Sequence, residues 1–230
     1  QLRQIQAAGA WGDFEQAQIF MGCRDALTPC HYDLLHNVYV QVRGWKRFLL
    51  MDPCYAYDLY PYPQGHPMDR CSRADLEAPN FQSFPKLRKV RAIEAILGPG
   101  DVLILPCGWY HHVQSLTEDS MSVSFWFSQG AFPRVGTEIS PLNSLQRLLL
   151  CREVEGILLL LKGVQGLSES YRTMRKLLLH GQSNGEDPLD SLDPQEVYSC
   201  SWILWRVNQA TSLGRELLWA LADTARFDGL

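Results

Sequence analysis

The sequence predicts a mainly β fold, a sandwich or a small barrel, followed by C-terminal helices. Between residues 16 and 128, short apolar segments recur at intervals typical of all-β domains, with turn residues between them. One segment, residues 37–44, alternates strictly, with valines at 38, 40 and 42 on one face. After about Pro141 the pattern changes, because leucines recur at helical spacing.

The strands can be placed in order along the chain. We predict seven of them, at residues 16–22, 37–44, 46–52, 91–97, 101–106, 111–116 and 122–128. The segment GPGD at 98–101 predicts a tight turn, with Pro99 presetting φ and Gly100 accepting a positive φ. Residues 53–85 form a long, strand-poor insert, and inserts of that length usually serve function. The basic segment KLRKVR at 86–91 is interpreted as a solvated strand edge.

Four regions follow from these patterns. Residues 1–140 form the predicted β core, 141–181 a helical segment, 182–194 an acidic linker, and 195–230 further helices whose role the sequence does not show. Two interpretations of the helical segment stay open. It either caps the barrel or forms a homodimer interface through its leucine-rich face.

Composition excludes several classes of function. The chain has 230 residues and a formal net charge of −4, so nothing favours direct binding to nucleic acid or to a membrane surface. No apolar run reaches the roughly 18 residues that a membrane span needs. Seven cysteines without a CxxC pair indicate reduced thiols, so we expect an intracellular protein, cytoplasmic, nuclear or both.

The segment TPCHYD at 28–33 raises the question of a metal site. With six histidines and 25 acidic residues, about one His-x-acid match is expected by chance, so His31 and Asp33 carry little information alone. If the strand at residue 37 extends back, both side chains project from one face. His111 and His112 lie on a later strand and face opposite ways, so one of them can point inward. Two histidines and one carboxylate form the facial triad of non-haem Fe(II) oxygenases.

Four ordered motifs sharpen this hypothesis. TPCHYDLLHNVYVQVRGWKRFLL, LYPYPQGHPMDR, GPGDVLILPCGWYHHVQSL and SVSFWF together resemble the JmjC-domain 2-oxoglutarate oxygenases, most of all the branch of asparaginyl hydroxylases that acts on hypoxia-inducible factor. The similarity runs from about Trp11 to Pro141. The resemblance implies a double-stranded β-helix, that is, a jelly-roll or cupin-like JmjC barrel, with Fe(II) as the metal and 2-oxoglutarate and O₂ as cosubstrates.

The resemblance also assigns roles residue by residue. His31, Asp33 and His111 match the iron ligands, which are the catalytic centre of the family, and Lys46 matches the lysine that pairs with the far carboxylate of 2-oxoglutarate. Thr28 matches a threonine at the same carboxylate.

Further matches lie beside the metal. Asn37 and Ser124 match residues of the cosubstrate pocket, while Arg70 matches an arginine near the substrate residue and Cys71 follows it. Lys46 also has a physical argument, because a dicarboxylate buried in a barrel needs a cation at its distal end.

Three departures from the family pattern bear on the target residue. Cys71 replaces a glutamine that helps to hold an asparagine amide, and a thiol cannot form a paired contact with a carboxamide. Ser124 replaces an asparagine, as in a branch of JmjC proteins that resembles arginyl hydroxylases. A pocket tyrosine supplied by an N-terminal region of the family has no counterpart here, which leads us to expect impaired cosubstrate binding if Gln1 is the natural start.

The expected function is a protein hydroxylase that oxidises an asparaginyl or other side chain of a partner protein and releases succinate and CO₂. By resemblance, ankyrin-repeat or transcription-factor segments are the expected partners. Two alternatives stay open: a JmjC lysine demethylase, and a non-catalytic interaction module.

Overall fold

The computed structural model describes residues 1–129, except 57, 63 and 65, together with 143–146, 148, 149 and 152. The chain divides into two compact units. One comprises Gln1–Tyr62 and Met68–Gly136, and the other comprises Pro63–Pro67 and Thr137–Leu230. The first unit contains all the strands of the described residues and every candidate site residue, so it is described in detail.

The described residues of this unit form one short α-helix and eight strands, besides two 3₁₀ helices. They are α1 (Leu2–Ala8), β1 (Phe14–Gly22), β2 (Leu27–Tyr32), β3 (His36–Arg43), β4 (Lys46–Met51), β5 (Ile93–Leu97), β6 (Val102–Leu105), β7 (Tyr110–Ser115) and β8 (Ser120–Phe127).

The strands form two four-stranded sheets. One sheet has the order β1-β8-β3-β6 and the other β2-β7-β4-β5, and all pairings are antiparallel. Along the chain, most successive strands change sheet, which is the winding of a double-stranded β-helix. The mainly β, jelly-roll prediction is therefore confirmed. Between the sheets lies an apolar cluster of six buried side chains: Tyr39, Phe48, Leu50, Leu97, Leu105 and Val113.

One prediction about strands is wrong. The strand that contains Asn37 does not extend back to His31 and Asp33. A separate strand, β2, ends at Tyr32 and pairs with β7 of the second sheet, whereas β3 starts at His36 in the first sheet. The chain must cross between sheets in the intervening three residues, so Asp33 lies just beyond a strand end and not within a strand.

Burial on the two faces of β3 differs from that of an ordinary half-buried strand. Asn37, Tyr39 and Gln41 are all buried, with Gln41 at 0% exposure, while Val42 is exposed. Asn37 and Tyr39 line a cavity between the sheets. The side of the alternation that carries polar groups therefore faces the interior, which is the first sign of a binding site inside the barrel.

The basic segment at 86–91 is not a strand edge, so that interpretation is wrong. Residues Pro85–Lys89 form a 3₁₀ helix, and strand β5 begins only at Ile93. Proline at the helix start has no N–H to leave unpaired, and Leu87 is the buried anchor of the helix. The GPGD turn is confirmed, because Gly100 has φ +94° and the Asp101 N–H donates to the Gly98 carbonyl over 3.0 Å.

The insert is ordered where the structure describes it. A short 3₁₀ helix, Pro53–Tyr55, is followed by the buried residues Ala56, Leu59 and Tyr60. Beyond them, two isolated bridges, Pro61↔Ser72 (antiparallel) and Tyr62↔Asp69 (parallel), link two segments, residues 60–62 and 69–73, which we call the insert ribbon. This ribbon brings the RCS segment at 70–72 alongside β2.

Few residues of the second unit are described. Residues 144–146, 148, 149 and 152 are helical, and Asn143 and Gln146 exchange reciprocal backbone-to-side-chain hydrogen bonds of 2.9 Å at the helix start. The other predicted helices, the acidic linker and the dimer interface lie outside the described residues. Within the described part of the chain, no helix is long and apolar enough to cross a membrane.

Candidate metal centre and cavity

Three side chains of the predicted triad converge at one point. One ligand atom from each of His31, Asp33 and His111 lies within 4.8 Å of the others. The Nε2 atom of His31 is 4.0 Å from Oδ1 of Asp33, and the Nε2 atom of His111 is 3.5 Å from Oδ2. The two imidazole rings have centroids 4.2 Å apart. Both Nε2 atoms therefore face the same carboxylate, as ligands of one metal ion would.

Backbone carbonyls fix the tautomer of both histidines. The Nδ1 of His31 lies 2.8 Å from the Pro29 carbonyl oxygen, and the Nδ1 of His111 lies 3.1 Å from that of Trp109. A carbonyl oxygen only accepts, so each Nδ1 carries the proton and donates it. The lone pair is left on Nε2, which is the atom that faces Asp33. A metal-binding histidine requires this arrangement.

Burial sets the charge of the site. Burial and, to a lesser degree, the neighbouring His31 lower the pKa of His111 to about 3, so this imidazole is neutral. Burial also raises the pKa of Asp33, while His31 and Arg70 oppose that shift. Among the described residues, the Oδ2 atom of Asp33 is buried without a hydrogen-bond donor. Two imidazole Nε2 atoms beside an unsatisfied carboxylate oxygen fit a divalent cation.

The backbone around the triad is held from several directions. His31 is in register with His111 of β7 on one side and bridged to Cys71 of the insert ribbon on the other. The pairing of β2 with β7 shifts register between Thr28 and His31, which indicates a β-bulge or irregularity next to the ligand. The carbonyl of Asp33 accepts from Gly108, whose φ of +81° favours glycine in this turn.

A cavity of about 220 Å³ opens from the triad into the barrel. Its lining comprises Gln18, Phe20, Thr28, His31, Asp33, Asn37, Tyr39, Lys46, Phe48, Leu105, His111, Val113, Ser124 and Trp126. All seven predicted metal and cosubstrate residues are among them, whereas the predicted substrate residues Arg70 and Cys71 are not. The structure thus brings Thr28, Asn37, Lys46 and Ser124 to the same cavity as the triad, as the resemblance implies.

Lys46 is the one lysine among the described residues that lines this cavity. It is only 8% exposed, and its Nζ donates to Ser122 Oγ across the barrel over 3.1 Å. The Tyr39 ring centroid lies 5.5 Å from Nζ. In the described part of the chain, no carboxylate pairs with this ammonium group. Burial therefore lowers the pKa of Lys46, with no opposing charge nearby.

The polar wall of the cavity is built from β3 and β8. The Asn37 amide donates to Ser124 Oγ over 3.2 Å, while its Oδ1 is buried and accepts nothing from the described residues. Gln41 accepts from the Tyr39 hydroxyl and donates to Ser120 Oγ over 3.1 Å. Strand β8 supplies three inward serines at alternate positions. The wall is therefore hydrogen-bonded internally and leaves one acceptor unused.

The two predicted substrate residues lie on the insert ribbon. Arg70 has φ +68°, and its Nη1 is 3.7 Å from Oδ1 of Asp33, so the guanidinium faces the metal centre itself. Burial raises the pKa of the half-buried Cys71 thiol, so Cys71 is a neutral thiol and a weak hydrogen-bonding partner. The substrate roles of Arg70 and Cys71 stay predictions.

Sequence reasoning missed several residues of the site. Tyr39, Gln41 and Ser122 support Lys46 and the polar wall, but they lie in motifs read only as strands. The alternating serines of SMSVS were the available signal, because polar residues at period two in a predicted core strand indicate a polar interior face. His112 is also buried, and its Nε2 pairs with Glu77 over 2.9 Å, away from the triad.

Comparison with known proteins identifies the family. Residues 5–131 match the cupin-like domain. The chain is 36% identical over 121 residues to Lysine-specific demethylase JMJ30 of Arabidopsis thaliana, covering 52% of this chain and 28% of that protein. It is 35% identical over 108 residues to Jumonji C domain-containing protein 5 of Drosophila melanogaster, covering 47% and 26%.

A third relative extends the same pattern. Lysine-specific demethylase 8 of Xenopus tropicalis is 32% identical over 109 residues, covering 47% of this chain and 24% of that protein. The matches thus span about a quarter of the length of these relatives. The similarity to asparaginyl hydroxylases in particular stays a prediction. With a jelly-roll core, a His-Asp-His cluster inside it and relatives named for the JmjC domain, this chain belongs to the cupin-like domain family.

Proposed function

We propose that the chain carries the catalytic core of an Fe(II)- and 2-oxoglutarate-dependent protein hydroxylase, which oxidises a side chain of a partner protein and releases succinate and CO₂. The observation that supports this most is Lys46. A buried ammonium group without a carboxylate is costly, by several kcal/mol before compensation. An anionic ligand that enters the cavity supplies the missing partner.

The position of Lys46 relative to the triad favours a dicarboxylate. In the register of β4 and β7, His111 lies opposite Leu50 and Ser115 lies opposite Lys46. The two groups are therefore four residues apart along the strands, or about 13 Å between backbone positions. Both side chains line the same cavity. A small dicarboxylate can thus engage the metal with one end and the ammonium group with the other.

Iron, when bound, supplies the oxidation of a C–H bond by O₂, with 2-oxoglutarate as the electron donor. The protein residues bind and orient the metal and the cosubstrate. His31, Asp33 and His111 present one ligand atom each and leave other coordination positions open. Lys46 and Ser122 bind the far carboxylate, and Asn37 with Ser124 forms the wall beside the near end. Phe48 and Val113 add apolar surface to the lining of that cavity, which lowers the local dielectric constant and strengthens the charge pairing.

Arg70 and Cys71 face the place where a substrate side chain would approach. A neutral thiol at 71 does not provide a paired contact for a carboxamide. The target residue is therefore left open between asparagine and other side chains. Ankyrin-repeat and transcription-factor segments are the partner classes that the resemblance suggests, in the cytoplasm or the nucleus.

A lysine demethylase is the second candidate, because two of the relatives bear that name. Both activities convert 2-oxoglutarate to succinate, but only demethylation of a methyl-lysine peptide releases formaldehyde. A non-catalytic module would do neither.

Succinate release, measured with and without Fe(II) and 2-oxoglutarate, tests the proposal, with His31→Ala as control. Mass spectrometry of candidate partner peptides then separates the classes, since hydroxylation adds one oxygen atom that persists. Failure to bind metal and to form succinate with any peptide would contradict both enzymatic candidates and leave the interaction module.

A further inference from the structure

Four cations follow the insert within six residues. Lys86, Arg88 and Lys89 lie on the 3₁₀ helix Pro85–Lys89, and Arg91 follows two residues later. Three of them are exposed and Lys86 is half-buried. None has a carboxylate oxygen within 4.0 Å in the part of the chain that the structure describes. We call these four residues the cationic cluster.

One carboxylate opposes the cluster. Lys89 and Lys86 lower the pKa of Asp58, although burial raises it more strongly, so the Asp58 carboxylate lies within electrostatic reach of both. Asp58 offsets part of the charge of the cluster, and the ion pairs among the described residues include none of the four cations. On a chain of net charge −4 this is a local positive field against a negative background.

Contacts connect the cluster to the insert ribbon. The Lys86 N–H donates to the Tyr60 hydroxyl over 3.1 Å, and its Nζ lies 5.7 Å from the Tyr60 ring centroid. Arg73 approaches the same ring, with Cζ 5.6 Å from the centroid, and its N–H donates to the Tyr60 carbonyl over 2.9 Å. Tyr60 is only 8% exposed, and its buried ring is a fixed point of contact for both Lys86 and Arg73.

The ribbon continues from there to the metal centre. Arg73 is three residues from Arg70, whose Nη1 lies 3.7 Å from the Asp33 carboxylate. Cys71, between them, is bridged to His31. Contacts therefore connect the metal centre, through Arg70 and Arg73 of the same chain segment, to Tyr60 and from there to the cationic cluster.

We infer that the cationic cluster docks an acidic segment of the partner polypeptide whose side chain is oxidised, an inference that rests on the proposed function. A nucleic acid fits less well. Its binding uses about six to ten phosphate contacts, and the rest of this acidic chain repels the backbone.

Fluorescence anisotropy with fluorescein-labelled deca-glutamate measures the docking directly, on the full chain without iron or 2-oxoglutarate. We expect binding that weakens as NaCl rises. Because an exposed ion pair contributes about 0.2–1 kcal/mol, Lys89→Gln with Arg91→Gln should weaken it about fivefold, and Lys89→Glu with Arg91→Glu about twentyfold. Asp58→Asn removes the opposing charge and should tighten binding.

The matched control reverses two exposed arginines elsewhere, with Arg3→Glu and Arg24→Glu, and changes net charge by the same amount as the reversal in the cluster. We expect the control to alter deca-glutamate affinity less than twofold. Equal losses in both double variants would overturn the inference, because net charge and not the cluster would then govern binding. Tighter binding of single-stranded oligodeoxythymidine than of deca-glutamate would overturn it as well.

The result of this assay does not depend on the proposed function, so the two proposals can be rejected separately. Deca-glutamate binding requires neither metal nor turnover, so its loss with intact succinate release would reject the docking surface and keep the hydroxylase. Binding that persists without any metal-dependent succinate release would keep the surface and reject the hydroxylase. Thermal unfolding of each variant shows that the charge changes leave the fold intact.

Discussion

The two ends of the cavity are built on different principles. At the metal end, Asp33 lies in the crossing between the sheets, and His31 and His111 are paired with each other on β2 and β7 next to a register shift. At the lysine end, Lys46 begins β4 and pairs with Leu97 and Ser115, and Ser122 lies opposite Gln41 on the other sheet. Carbonyl hydrogen bonds orient the ligands at the first end. At the second end, the buried ammonium group of Lys46 has no carboxylate partner among the described residues, and a bound anion would supply one.

This difference shows that Lys46 serves function at a cost in folding stability, whereas the histidine ligands do not. Removal of a histidine ligand takes away a hydrogen-bonded side chain and lowers the affinity for the metal. Removal of the lysine takes away an uncompensated charge, so the folded protein gains while ligand binding is lost. The two ends therefore predict opposite relations between stability and activity.

The largest effect is expected at the histidine doublet. His111→Ala removes a metal ligand, and we expect Fe(II) or Co(II) affinity and succinate formation to fall by at least about a hundredfold. His112→Gln is the matched control, since this neighbour points to Glu77 and should leave metal affinity unchanged. Titration calorimetry with Co(II) measures both. Equal losses in the two variants would show that the doublet was assigned the wrong way round.

Lys46→Met comes next, and it tests the other end. We expect 2-oxoglutarate affinity to fall at least about thirtyfold, because the loss of a charge-assisted contact costs about 2 kcal/mol or more. Metal affinity should stay, and the ligand-free protein should become more stable by about 1 kcal/mol. Arg47→Met, on the opposite face of β4, is the control. A Lys46→Met protein that unfolds earlier and binds 2-oxoglutarate normally would refute this account of the lysine.

Ser124→Ala has a smaller expected effect. It removes the acceptor for the buried Asn37 amide, and a lost hydrogen bond of this kind costs about 1 kcal/mol. We predict a rise of about fivefold in the KM for 2-oxoglutarate, with metal affinity kept. Steady-state kinetics and calorimetry together distinguish this from a loss of metal. Ser122→Ala serves for comparison and should resemble a mild form of Lys46→Met.

The pH dependence of stability is the smallest effect. Because burial lowers the pKa of Lys46 below its ordinary 10.5, the unfolded chain binds more protons than the folded protein between those two values. The destabilisation is fully present below the lowered pKa and disappears as the pH rises to 10.5. The stability advantage of Lys46→Met should therefore shrink with rising pH, as chemical denaturation can show. A gap that is constant with pH would contradict this explanation.

Much of the fold and of the ligand set could be predicted from the sequence. Alternating and apolar runs placed seven strands, because a buried sheet face imposes period two on the chain. The missed strand, β2, contains Thr28, Pro29 and Cys30 and has no such alternation. Its pairing with β7 is a long-range contact that local pattern does not encode. The same holds for the 3₁₀ helix at 85–89, whose formation depends on Pro85 at its start and on the burial of Leu87.

The geometry of the site was less accessible from sequence. The contact of Arg70 with Asp33 depends on the insert ribbon, residues 60–62 and 69–73. No periodicity in the sequence indicates that these two segments pair. The inward serines of β8 were visible as a pattern, but a strand pattern alone does not tell which face is inside. Only the two sheets together show that the polar face of β3 lines the cavity.

The most direct test of the account is anaerobic titration of 2-oxoglutarate into the Fe(II)-loaded protein, followed by calorimetry and by the visible absorption band of the complex. We predict one binding site that requires the metal, is abolished in His111→Ala and is strongly weakened in Lys46→Met. Equal binding to wild type and Lys46→Met, or binding without metal, would contradict the claim that this cavity holds a dicarboxylate between an iron centre and a buried lysine.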